Sequence, residues 1–263
     1  MRYACAVLAV FVSAAFPASA DCVVLLHGLA RTATAMEPMA DALASHGYAI
    51  ANIDYPSREF PVETLAVTAV EEGIAACPEE GSIHFVTHSL GGILVRYYFE
   101  HHEIERLGRV VMLAPPNKGS EVVDDYRSVP GFALINGPAG QQLGTDGSSI
   151  PNSLGPVTFE AGVIAGSRSF NPLLSQSLPN PDDGKVSVDA TRVEGMADFI
   201  VVPHSHPFIM SAESVMAQTL HFLQHGRFEH AAESAEREQE QLRQRNQETE
   251  TQRVLTDTFP DNG

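Results

Sequence analysis

Apolar and polar positions alternate in two rhythms along the chain. Short apolar runs bounded by turn residues occur at 22–27, 48–54, 82–88, 109–114, 158–165 and 198–203, and each reads as a buried β-strand. Longer amphipathic stretches lie between most of them. Residues 34–45 carry Met36, Met39, Ala40 and Leu43 on one face, and 62–76 and 90–102 repeat that pattern. The stretch 212–225 closes the series with Val215, Leu220, Phe222 and Leu223. Strand and helix in strict alternation predict parallel pairing, with helices covering both faces of the sheet. In such sheets the ligand crevice lies beyond the carboxyl ends of the strands.

The two ends of the chain break these rhythms. Residues 1–20 run from Arg2 through an apolar stretch to the small residues Ala18-Ser19-Ala20, which is the order of a secretory signal. The apolar stretch is too short to span a bilayer comfortably. The mature chain is therefore expected to begin at Asp21, outside the cytoplasm (secreted or periplasmic), without a transmembrane anchor. After Gly226 the composition turns to Glu, Gln and Arg with few large apolar residues, so 227–263 reads as a charged tail, disordered or helical, that adds nothing to the core. One domain, 21–226, remains between them, and 44% hydrophobic residues suffice for one sizeable core.

Removing residues 1–20 removes Cys5 and leaves Cys22 and Cys77. An even pair in an oxidising compartment predicts a disulfide, provided that the strands near the two cysteines are parallel neighbours. The formal net charge of −17 repels phosphate backbones, so nucleic acid is not an expected partner. Neither a zinc-type cysteine cluster nor a phosphate-loop glycine pattern occurs, so no metal and no cofactor is expected.

Candidate chemistry centres on 85–96, FVTHSLGGILVR, where a predicted strand runs into a predicted helix. Thr87-His88-Ser89-Leu90-Gly91 approaches the Gly-x-Ser-x-Gly elbow, which holds a serine in a strained turn so that its hydroxyl stands clear of the sheet. Gly91 and Gly92 both fall in the helix's first turn. Each costs about 1 kcal/mol relative to alanine in a helix, so close backbone approach explains them better than helix formation does. A serine nucleophile also needs a base, an orienting acid and donors for the oxyanion. Asp183-Gly184 offers a carboxylate on a tight turn, and HSHPFIM follows the last strand with two histidines, His204 and His206. Spacing alone does not separate them, although Pro207 holds His206 in extended backbone. The amides of Leu29 and Leu90 fall at the same edge as Ser89. His88 and Asp182, adjacent to the working residues, read as bystanders, Asp182 as a solvated carboxylate and His88 with its ring turned elsewhere. His27 reads as an organiser of the loop before Leu29.

Together, VVLLHGLARTATAM, FVTHSLGGILVRYY, LAPPNKGS, DDGKVSVDAT and HPFIM resemble the α/β-hydrolases of the secreted bacterial lipase and esterase type, over about residues 21–225. The resemblance implies an α/β-hydrolase fold with Ser89 as nucleophile, Asp183 as acid, His206 as base, and Leu29 and Leu90 as oxyanion donors. Thr87 departs from the glycine or alanine usual there. The implied activity is cleavage of a small-molecule or lipid carboxylic ester through an acyl-enzyme. Acyl transfer or thioester cleavage on the same residues, or a non-catalytic binding role, are the alternatives. Residues 115–158 are rich in Gly, Pro, Asn and Ser, which predicts a small or absent lid. Leu29, Met36, Leu90, Leu173 and Leu174 are candidates for an apolar acyl pocket, best suited to short or medium chains.

Overall fold

The computed structural model describes residues 21–230. The proposed signal segment 1–20 and most of the proposed tail lie outside the described residues. Six strands form one wholly parallel sheet: β1 (Cys22–Leu26), β2 (Ala49–Ile53), β3 (Ile83–His88), β4 (Leu107–Leu113), β5 (Ala161–Gly166) and β6 (Asp198–Val202), in the spatial order β2-β1-β3-β4-β5-β6. The main helices are α1 (Glu37–Ala44), α2 (Val62–Ala76) and α3 (Leu90–His101), with Glu213–His225 the last among the described residues. Four short helices not anticipated from the pattern lie between β4 and β6: α4 (Glu121–Tyr126), α5 (Phe132–Gln141), α6 (Ile150–Ser153) and α7 (Pro172–Ser175), so that Glu213–His225 is α8.

Alternate residues of each strand feed two separate cores, as the pleat requires. Cys22, Val24 and Leu26 pack with Leu65, Ala69, Ile93 and Leu94 of α2 and α3 on one face. Val23 and Leu25 pack with Met39, Leu43, Val215 and Phe222 of α1 and α8 on the other. Parallel strands buried on both faces account for the continuous apolar runs in the sequence. The second core extends past Gly226, which ends α8 in the left-handed conformation (φ 74°), to the fully buried Phe228.

The chain leaves β1 toward β2 on one side and returns to β3 on the other side of β1. Strand order therefore reverses between β1 and β3, where a crevice opens at their carboxyl ends. At the opposite end, Cys22 of β1 and Cys77 after α2 form a disulfide with Cα atoms 5.7 Å apart. The segment after β4 folds α4 and α5 over the crevice, while α6 packs against α3. α5 breaks at Gly137 (φ 65°), where a Cβ would lie 2.0 Å from the Arg58 carbonyl, so glycine lets the helix cross the loop after β2.

Candidate active site

Ser89 sits between β3 and α3 with φ 52° and ψ −117°, a strained conformation for a residue with a side chain. Its amide donates to Leu113 O at 2.9 Å, which ties the turn to β4. The adjacent glycines have separate reasons. A Cβ on Gly91 would lie 2.6 Å from Leu26 O, so α3 approaches the end of β1 as closely as backbone allows. A Cβ on Gly92 would meet Pro115 Cβ at 3.0 Å and Thr87 Oγ1 at 3.3 Å. The space freed at Gly92 thus accommodates the branched side chain that stands where an elbow usually has glycine.

Three side chains from three loops converge at the sheet edge. Ser89 Oγ donates to His206 Nε2 at 3.0 Å, and His206 Nδ1 donates to Asp183 Oδ2 at 2.8 Å. A carboxylate only accepts, so it fixes the His206 tautomer that leaves Nε2 free to take the serine proton. Asp183 is fully buried, and its other oxygen accepts the amides of Lys185 at 3.0 Å and Val186 at 2.8 Å. Gly184, at φ 95°, turns the chain so that both amides point back at that oxygen. The His206 amide donates to Asp183 O at 3.0 Å, joining the two loops a second time. Met210, buried in the second core, anchors the histidine loop four residues on.

His204 is directed elsewhere, with its Nε2 3.0 Å from Ser214 Oγ at the start of α8. The bystander reading of Asp182 needs correction. It is buried, and one oxygen accepts Ser175 Oγ at 2.8 Å and the Gly184 amide at 2.7 Å, so it shapes the acid loop rather than facing solvent. His88 also does more than was expected. Its buried Nε2 donates to His206 O at 3.0 Å and supports the His206 backbone, while burial draws its pKa well below the ordinary histidine value. Its ring fills the space over Gly28, where a Cβ would lie 2.7 Å from His88 Nδ1. Neither role could be found by spacing, because both depend on which loops the sheet brings together.

The loop after β1 is held from beneath. His27 Nδ1 donates to Gly28 O at 2.9 Å, its Nε2 accepts the Tyr55 amide at 3.3 Å, and its ring stacks on Tyr55 with centroids 4.1 Å apart. Burial lowers the His27 pKa, in keeping with a neutral ring that both donates and accepts. Arg31 N donates to Gly28 O at 3.2 Å, which closes the turn around Leu29. Among the described residues, no protein group accepts the amides of Leu29 or Leu90.

A cavity of about 230 Å³ opens onto Ser89 and His206. Leu29, Val123, Phe132, Leu143 and Leu174 give it an apolar wall, so the cap helices contribute lining that the sequence did not disclose. Of the other residues expected in this wall, Met36 is buried in the second core, Leu90 in the first, and Leu173 faces solvent.

A parallel sheet with a strained serine at its switch point, hydrogen-bonded to a histidine that is itself bonded to an acid on another loop, defines the class of α/β hydrolases. Residues 23–236 match the model of the alpha/beta hydrolase family, and the chain belongs to it. No curated protein matches the sequence. Among solved structures, the mature form of Bacillus licheniformis lipase BlEst2 superimposes with a TM-score of 0.62 at 19% identity, over 81% of this chain and 95% of that one. Phospholipase PlaB from Legionella pneumophila gives 0.58 at 19% identity, over 78% of this chain and 58% of that one. The metagenomic carboxyl esterase MGS0156 gives 0.55 at 18% identity, over 74% and 66% respectively. At these identities the likeness is one of fold.

Proposed function

We propose that the mature chain is a secreted carboxylic ester hydrolase that works through an acyl-enzyme on Ser89. The observation that carries this reading is the hydrogen-bonded chain from Ser89 Oγ through His206 to Asp183, facing an apolar cavity. Ser89 Oγ attacks the ester carbonyl carbon as its proton passes to His206 Nε2. Asp183 orients the resulting imidazolium and stabilises its charge. The amides of Leu29 and Leu90 donate to the oxyanion. His206 then protonates the departing alcohol oxygen, the C–O bond breaks, and the acyl group stays on Ser89. Water enters, gives a proton to His206 and attacks the acyl carbon, and Ser89 Oγ recovers that proton as the acid leaves.

The cavity is below the roughly 300 Å³ at which ligand pockets usually begin, which favours a short or medium acyl chain. Support for the reaction class also comes from fold neighbours named as a lipase, a phospholipase and a carboxyl esterase. Secretion is supported by the disulfide, since such bonds persist in oxidising compartments, and by the leader-like residues 1–20. Among the described residues no helix is long and apolar enough to cross a membrane. Hydrolysis of p-nitrophenyl esters of graded acyl length by the purified mature chain tests the reading. Turnover is expected to peak at short or medium chains and to vanish in Ser89→Ala. Equal turnover in that variant would overturn the proposal.

A further inference from the structure

The chain carries 33 acidic against 16 basic side chains, and only two of its residues are lysines. The cavity reverses that balance. Apart from Asp183 and His206, its charged lining consists of Arg31 and Lys185. Asp183 is turned inward onto His206 and two backbone amides, so the charge that the cavity offers a ligand is positive.

Both cations sit on loops that carry the proposed chemistry. Arg31 lies two residues after Leu29, and Lys185 two residues after Asp183. Lys185 is held at both ends of its peptide unit, its amide donating to Asp183 Oδ1 at 3.0 Å and its carbonyl accepting Ser120 Oγ at 2.7 Å. Both residues line the cavity and both are also exposed, which places them at its rim. Arg31 also borders an adjoining groove whose lining includes Asp54, Arg58, Glu59 and Leu134.

Six other cations among the described residues are already engaged, whereas Arg58 and Arg168 lie outside this cavity. Lys118 pairs with Asp189 at 2.9 Å, Arg109 with Glu160 at 3.0 Å and Arg127 with Asp146 at 3.2 Å. Arg96 and Arg106 donate to backbone carbonyls, and Arg192 lies over the Phe199 ring. Arg31 and Lys185 form no ion pair or side-chain hydrogen bond with any described residue. They also repel each other: desolvation first, and then the Arg31 charge, draw the Lys185 ammonium below the ordinary lysine range, against a smaller opposing pull from Asp183. Two unpaired like charges at one apolar mouth are unfavourable unless a ligand of opposite charge joins them.

We infer that Arg31 and Lys185 select esters whose alcohol portion bears an anionic group, a carboxylate or a phosphate. This inference rests on the ester-hydrolase reading above. The apolar wall takes the acyl chain, which leaves the alcohol portion to extend past Leu29 toward the rim. Arg31 offers a planar fork suited to either oxyanion, and Lys185 a compact charge. The two residues act on substrate binding, so the preference is carried chiefly by KM.

The test uses butyrate esters with matched acyl groups: phenyl butyrate, 3-carboxyphenyl butyrate, 3-(trimethylammonio)phenyl butyrate, and butyrylglycerol with and without a terminal phosphate. For the wild-type mature chain, kcat/KM on the anionic esters is expected to exceed that on their neutral counterparts roughly tenfold, with the cationic ester slowest. Raising salt from about 0.05 to 0.5 M should shrink that ratio. In Arg31→Gln/Lys185→Gln, checked for folding by its melting curve, the ratio should fall toward one. The carboxylate and phosphate pairs show which oxyanion the rim prefers. Equal rates on neutral and anionic esters, a faster cationic ester, or an unchanged ratio in the double variant would overturn the inference and leave the hydrolase reading standing. No hydrolysis of any ester would overturn both.

Discussion

Cutting the chain after Gly226 removes Phe228, a residue of the second core, whereas cutting after His230 removes nothing that the described structure packs. Phe228 is fully buried, its ring lies 4.9 Å from that of Phe222, and both rings rest on Gly162 of β5, where a Cβ would come within 2.7 Å of either. Its amide donates to Asp198 Oδ2 at 2.8 Å, and Glu229 exchanges two hydrogen bonds with Gln218 at 2.9 and 2.8 Å. Loss of a buried phenylalanine costs about 3–5 kcal/mol, before the hydrogen bonds are counted. In a domain of this size each kcal/mol moves Tm by about 2–4 °C, so truncation after Gly226 should lower Tm by about 6–20 °C. Truncation after His230 should shift it by less than about 2 °C, because the removed residues are mostly charged or polar. Calorimetric melts of the mature chain, the two truncations and full-length Phe228→Ala read the difference. If the two truncations melt together with the full chain, Phe228 is not part of the core as argued.

Cys22→Ala/Cys77→Ala opens a link across 55 residues and should cost about 4 kcal/mol by the chain-entropy relation, measured by urea unfolding; an unchanged midpoint would contradict it. Burial is the largest influence on His27, His84 and His88, and lowers each below 6.5. Below about pH 6.5 the unfolded chain therefore binds protons that the native chain refuses, and stability should fall as the pH falls, by at most about 1.4 kcal/mol per unit per histidine. His88→Asn should reduce that slope by up to one proton, and a slope that is flat or reversed down to pH 5 would refute the assignment. His206→Ala should lower kcat by several orders of magnitude, as loss of Ser89 does, whereas His204→Ala should change it less than about fivefold. A greater loss in His204→Ala would show that the loop is read out of register.

Much of this architecture was legible because buried parallel strands leave long apolar runs. The helix expected at 62–76 matches its observed bounds, and expected and observed strand ends differ by up to three residues, at 158–165. The cap was not legible. Its helices are short, α5 holds an internal glycine and proline, and their apolar residues face a cavity that exists only after the fold has formed. Phe228 escaped notice for a related reason: a lone aromatic beyond a glycine stop carries no periodic signal. At the site, Ser89 and Asp183 announced themselves through neighbouring glycines. The buried roles of His88 and Asp182, and the cationic rim, depend on contacts between loops far apart in sequence.

Ser89 is proposed above as the activated nucleophile of the cavity. A fluorophosphonate of short alkyl chain, incubated with the mature chain and followed by intact mass and peptide mapping, tests it directly. The account predicts one adduct per chain, on Ser89, with none in Ser89→Ala and labelling at least about a hundredfold slower in His206→Ala. An adduct on another residue, or no adduct on a folded chain, would contradict it.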